Sequence, residues 1–128
     1  MREQLHERIL NNMDALCSWY DKQKQGLFLP FYSSYDIRDA SFKVTNVDAN
    51  IYPAGFNNIC QTDKDHAPEL VQNYFREHYP SARKILLVTE DHFKNLYYWE
   101  NIFAIQDLLV RANYEVVVGM PALEATSE

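Results

Sequence analysis

Between Val47 and Asn58 the sequence reads Val-Asp-Ala-Asn-Ile-Tyr-Pro-Ala-Gly-Phe-Asn-Asn, which sets Asp48, Asn50, Asn57 and Asn58 around Pro53 and Gly55. Carboxylates and carboxamides are costly to bury unless they are hydrogen-bonded. A run this dense in them is either a solvated loop or a site that meets a polar ligand. Just upstream, Asp36, Arg38, Asp39 and Lys43 add charge of both signs. That mixture suits a zwitterion such as an amino acid. The Arg38 guanidinium can hold a carboxylate through two parallel hydrogen bonds, with Lys43 as a second cation. Asp48 can accept from an ammonium, and Asn50, Asn57 and Asn58 can each donate and accept. Pro53 and Gly55 stiffen the segment, so that less entropy is lost on binding. The competing reading is an internal ion pair of Arg38 with Asp36 or Asp48 that only pins the loop.

A second polar cluster follows Thr89: Glu90, Asp91 and His92, then Asn95, Tyr97, Tyr98, Trp99, Glu100 and Asn101. It lies after an apolar run and enters a helix. Ligands of open α/β sheets bind beyond the carboxyl ends of the strands, and a helix N-terminus offers unpaired N–H groups. Glu90, His92, Asn95, Glu100 and Asn101 are therefore candidate ligand contacts; the alternative is that Asp91 or Asn95 caps the helix and the rest is solvated, and His92 is either a general acid or base or a hydrogen-bonding spacer. His6, His66 and His78 show no metal-ligand spacing, so no metal site is expected. No Gly-x-Gly-x-x-Gly, P-loop or Gly-x-Ser-x-Gly motif occurs, and three glycines are too few for a glycine-rich phosphate cradle.

Several elements must position these residues. Leu5, Ile9, Met13, Leu16 and Tyr20 recur at helical spacing, predicting one amphipathic helix over 2–24 that stops near Gly26. Residues 27–32 read as an edge or extended segment limited by Pro30. Residues 41–47 predict a strand with Phe42, Val44 and Asn46 on one face, and the polar run after it an ordered loop. A helix over 66–79 is expected, capped by Asp65, with Pro68 in its first turn, Leu70, Val71, Tyr74 and Phe75 on its buried face, and Pro80 as its end. Lys84-Ile-Leu-Leu-Val-Thr89 and Glu115-Val-Val-Val-Gly119 read as strands buried on both faces. Between them a helix over 96–112 presents Trp99, Ile102, Ile105, Leu109 and Ala112. This is a parallel, right-handed β-α-β unit. The whole, 1–128, reads as one α/β domain: an N-terminal helix over 1–26, a polar substrate-loop region over 27–63, and a helix plus β-α-β unit over 64–120. A parallel sheet normally has several strands, so a two-stranded one looks unfinished and points to an N-terminal part of a longer protein.

The bulk numbers narrow the partners. With 128 residues and 47% hydrophobic content the chain can build a core, and disorder is not expected. A net charge of −6 and scattered cations argue against binding nucleic acid. No apolar run reaches the ~20 residues of a membrane span. Cys17 and Cys60 make no disulfide framework and no secretory signal precedes them, so a reduced, cytoplasmic setting is expected. Cys17 falls on the apolar face of the first helix, where it reads as a small hydrophobe.

Tyr35-Asp-Ile-Arg-Asp-Ala-Ser-Phe-Lys43, the 47–58 run, and residues 85–101 with their Thr-Glu-Asp-His and Tyr-Tyr-Trp-Glu-Asn together resemble the N-terminal region of proteobacterial-type glutamate–cysteine ligases. The resemblance spans about 28–120. Ser41 and Asp39 depart from it, standing where glycine and asparagine are expected. It implies an ATP-grasp-like ligase that begins with a Rossmann-like (pre-ATP-grasp) domain, consumes glutamate and cysteine, and forms γ-glutamylcysteine in glutathione synthesis. ATP and Mg2+ are the implied cofactors, bound mainly beyond residue 128, so the 128 residues alone are expected to be inactive. In such ligases a carboxylate is phosphorylated and an amine then attacks the acyl phosphate. The alternative reading is a non-catalytic α/β module that binds a polar small molecule.

Overall fold

The structure is a computed structural model; it describes residues 2–90 and 94–120. Elements run in the order α1 (Arg2–Asn11), α2 (Met13–Gln23), β1 (Ser34–Asp39), β2 (Val44–Asn50), a 3-10 turn (Phe56–Asn58), α3 (Gln61–His78), β3 (Lys84–Val88), α4 (Leu96–Arg111) and β4 (Glu115–Gly119). They form two compact units that meet between Tyr52 and Pro53, inside the polar segment.

In the first unit the expected single helix is broken at Asn12, whose backbone leaves the helical region at φ −125° and ψ 20°. Asparagine competes with the helix by bonding nearby backbone, and here Asn12 Nδ2 donates to the Arg8 carbonyl at 2.8 Å. The expected stop at Gly26 holds, with φ +76°. The segment 34–50 is an antiparallel hairpin and not a strand followed by a loop. Ser41 is the reason. Its φ of 68° reverses the chain, and Ala40 N–H donates to the Lys43 carbonyl at 3.0 Å. A positive φ at the first of two central residues is the pattern of a type II′ turn, which favours glycine there. The strand therefore starts at Val44, and Phe42 sits in the turn, 81% exposed. A bulge between Asp36 and Ile37 flips the pairing, so that Asp48 stands opposite Asp36.

The second unit is built on α4. Ile102, Ile105, Leu108, Leu109 and Ala112 are buried as its periodicity requires, together with Val71 of α3 and Phe56. Trp99, expected on that stripe, is half-buried. α4 ends in a Schellman motif: Asn113 takes φ 66°, Tyr114 N–H donates to the Leu109 carbonyl and Asn113 N–H to that of Val110. β3 and β4 pair in parallel in the register Lys84↔Glu115 to Val88↔Gly119, completing the predicted β-α-β unit. Its strands are not buried on both faces, however. Leu86, Val88 and Val117 are exposed, while Ile85, Leu87, Val116 and Val118 are half-buried. A helix on one face of two strands covers only alternate residues.

α3 starts at Gln61, five residues earlier than expected, with Cys60 at its N-cap. Asp65 is thus inside the helix, where it accepts from Gln61 Nε2 at 3.0 Å and from Arg111 at 3.3 Å. Pro68 also lies in the helix interior, beyond its first turn. Leu70 is exposed, because the covered stripe passes through Ala67, Val71, Tyr74 and Phe75. Burial raises the Tyr74 hydroxyl above its usual range, with a smaller contribution from Tyr79.

Candidate functional site

Each unit carries part of the predicted site. In the first, Arg38, Lys43, Asp48 and Asn50 belong to the hairpin. Arg38 pairs with Thr45 across the ladder and shares a strand face with Asp36. No ion pair of Arg38 with Asp36 or Asp48 occurs among the described residues. Asp48 and Asn50 do come together: Asn50 Nδ2 donates to one Asp48 carboxylate oxygen at 2.9 Å, and Ala49 N–H to the other at 3.0 Å. Strand alternation puts 48 and 50 on one face, and the bulge sets which face that is. Lys43 closes the turn through its backbone carbonyl.

In the second unit the polar segment folds as a tight turn. Gly55 has φ 82° and ψ 10°, the values of the third position of a type II turn. Asn58 N–H donates to the Gly55 carbonyl at 2.9 Å, and Lys64 Nζ lies 3.4 Å from the Asn57 carbonyl. Phe56 is buried and anchors the turn. The side-chain amides of Asn57, half-buried, and Asn58, exposed, bond to no other described residue. Asn101 is 5% exposed. Its Oδ1 accepts from Phe56 N–H at 2.8 Å and its Nδ2 donates to the Pro53 carbonyl at 2.9 Å.

The cluster after β3 is ordered around Tyr98. Its hydroxyl accepts from Glu90 N–H at 2.7 Å, and its backbone N–H donates to Asn95 Oδ1 at 3.2 Å, which makes Asn95 the N-cap of α4. Thr89 is buried and reaches the Gly119 carbonyl of β4. Glu100 is exposed on α4. His92 and Asp91 lie outside the described residues. Sequence reading placed Asn101 among ligand contacts and missed its bonds to the turn. The available signal was a carboxamide beside Ile102 on the buried stripe of a helix, where it must find partners.

Beside Phe56 is a cavity of about 80 Å3 lined by Ile59, Ala67, Ala104 and Leu108, with Lys64 and Arg111 among its charged residues. Asp107 lines it too, so charges of both signs border an otherwise mostly apolar cavity. Among the described residues no group of three or more His, Cys, Asp or Glu side chains could hold a metal ion. Gly26, Gly55 and Gly119 lie far apart in the chain, so they make no glycine-rich loop of the kind that cradles phosphate. Among the described residues neither an acidic cluster nor a glycine-rich loop stands ready for a nucleotide–magnesium pair.

Residues 6–128 match the family described as GshA, glutamate-cysteine ligase. The chain belongs to the glutamate-cysteine ligase family. It is also similar to the crystal structure of a protein from Methylobacillus flagellatus KT described as a candidate gamma-glutamylcysteine synthetase, at 35% identity and a TM-score of 0.84. That likeness covers 97% of this chain and 29% of the other. No curated protein matches the chain. The glutamate-cysteine ligase fold assignment agrees with the mixed α/β architecture and its parallel β-α-β unit. No helix among the described residues is long and apolar enough to cross a membrane.

Proposed function

We propose that this chain supplies the amino-acid-binding part of an ATP-dependent glutamate–cysteine ligase, which joins the γ-carboxylate of glutamate to the amine of cysteine. The match of the family over 6–128 carries this reading. The site chemistry supports it. Arg38 has no ion-pair partner among the described residues, and its planar fork suits a substrate carboxylate. Asp48, oriented by Ala49 N–H and Asn50, suits an α-ammonium. Lys43 adds a second cation to the first unit's groups; in the second unit, taken by itself, the Asn57 and Asn58 amides can each donate and accept. Glu90, His92 and Glu100 would supply further polar groups for the second substrate, beside the Asn95 cap of α4. ATP and Mg2+ would activate the carboxylate, and this chain would bind and orient the amino acids. A cytoplasmic setting belongs to the same proposal.

The test is an assay of the whole protein that carries this chain, with glutamate, cysteine and ATP–Mg2+. ATP-dependent γ-glutamylcysteine is expected, and residues 1–128 alone should make none. Binding of glutamate without product in the whole protein would favour the non-catalytic module, and product from residues 1–128 alone would overturn the division of labour.

A further inference from the structure

We infer that Asn101 is a positioning residue: its buried carboxamide fixes the Pro53–Phe56 turn in the conformation that presents Asn57 and Asn58 to substrate. The substrate half of this statement rests on the ligase reading above; the turn-setting half does not. One side chain, 5% exposed, grips the turn at both ends, accepting from Phe56 N–H at 2.8 Å and donating to the Pro53 carbonyl at 2.9 Å. The pairing spans more than forty residues of sequence, so it is a tertiary link and not a local turn bond.

The chemistry selects asparagine. Aspartate keeps the acceptor but, when ionised, has no donor for the Pro53 carbonyl; leucine has the shape and neither polar atom; glutamine has the same groups one methylene too far. A buried donor or acceptor that loses its partner is costly, so removing this carboxamide carries a penalty at both backbone groups. The helix beneath is rigid, because Ile102 and Ile105 beside Asn101 are 2% exposed. Gly55 completes the device, since its φ of 82° lets the chain turn between the two gripped groups. Phe56 is buried, and of the next two residues Asn57 is half-buried and Asn58 exposed. A shift of the turn moves Asn57 and Asn58 directly, and a loop that must be re-ordered on binding weakens the hold on substrate.

The test has two arms. In isotope-labelled wild-type protein, the Asn101 side-chain amide protons should exchange with solvent at least about tenfold more slowly than those of Asn58, as expected for a buried, bonded amide. Equal exchange overturns the inference without any variant having to fold. In Asn101→Asp, backbone exchange over 54–58 should rise about tenfold at neutral pH while Ile85–Val88 and Ile105–Leu109 stay as in wild type. Protection should return as the pH falls and the new carboxyl gains a proton for the Pro53 carbonyl. In the whole ligase the same variant should raise KM for an amino-acid substrate about tenfold and change kcat less than twofold, the mark of lost binding. Loop and core exchange rising together, or a loop response indifferent to pH, would show Asn101 to be an ordinary core residue. A selective loop response with KM unchanged in an active ligase overturns the substrate role. Absence of ligase activity in the wild type defeats the proposed function instead, and the exchange arm then decides the turn-setting role alone.

Discussion

The two units of this chain reach order by different means. In residues 2–52 no described residue is buried, and Trp19, Tyr20, Phe28, Ile37 and Phe42 are more than half exposed. Its helices have 10 and 11 residues and its sheet two strands. Helices shorter than ~12–15 residues, and lone hairpins, are marginal in water. In the second unit, Ile102, Ile105, Leu108, Leu109 and Ala112 of α4 and the residue after it are buried with Val71 and Phe56. The lesson concerns the site. Asn57, Asn58 and Asn101 rest on a packed helix, while Arg38, Lys43, Asp48 and Asn50 rest on backbone pairing and local side-chain bonds.

The comparison can be broken most forcefully at Ile102. Ile102→Asp puts an unpaired charge where 2% of the residue is exposed, and should cost upwards of about 4 kcal/mol and unfold the second unit. An unchanged thermal midpoint by circular dichroism would mean that α4 does not bear the core.

Arg38 gives the next largest effect, on function and not on folding. In the whole ligase, Arg38→Ala should cost about 1.5–3 kcal/mol of transition-state binding, roughly one to two decades in kcat/KM, with the melting temperature unchanged. A lowered melting temperature with unaltered kinetics would make the residue structural and remove it from the site.

Ser41 sharpens the contrast. A non-glycine residue at φ 68° is strained, and Ser41→Gly should favour the turn by roughly 0.5–1 kcal/mol. Amide exchange in the hairpin should slow several-fold while the melting of the second unit stays put; faster exchange would refute the turn assignment. Smallest of all, Phe42→Ser should change stability by no more than about 0.5 kcal/mol, because the residue is 81% exposed. A loss of 2 kcal/mol or more on chemical denaturation would show that Phe42 is packed.

Much of the second unit was legible in the sequence because its signals are periodic. The α4 stripe and the two valine- and leucine-rich strands state a parallel β-α-β unit, and the structure has it. Exposure of one strand face was not legible, since an apolar run reads alike whether one face or both are covered. The hairpin was missed for a different reason. Ser34–Asp39 and Val44–Asn50 are polar strands whose pairing is set by a turn residue of the wrong type, Ser41, and by a bulge. The resemblance had already marked Ser41 as standing in a glycine position, and the positive φ supplies the physical reason. For the site, residue types were readable but not partners. Asn101 was singled out for its carboxamide, and only the packing of α4 against the Phe56 turn shows that it faces inward.

Amide hydrogen exchange along residues 2–120 of the wild-type chain tests the central claim most directly, namely that the packed core and the latched turn belong to the second unit. The account predicts strong protection at Ile85–Val88, Ile105–Leu109 and Val116–Val118, protection of Phe56 N–H close to theirs, and weak protection throughout Ser34–Asp39 and Val44–Asn50. A hairpin protected as well as α4, or a Phe56 amide exchanging as fast as the hairpin, would contradict it.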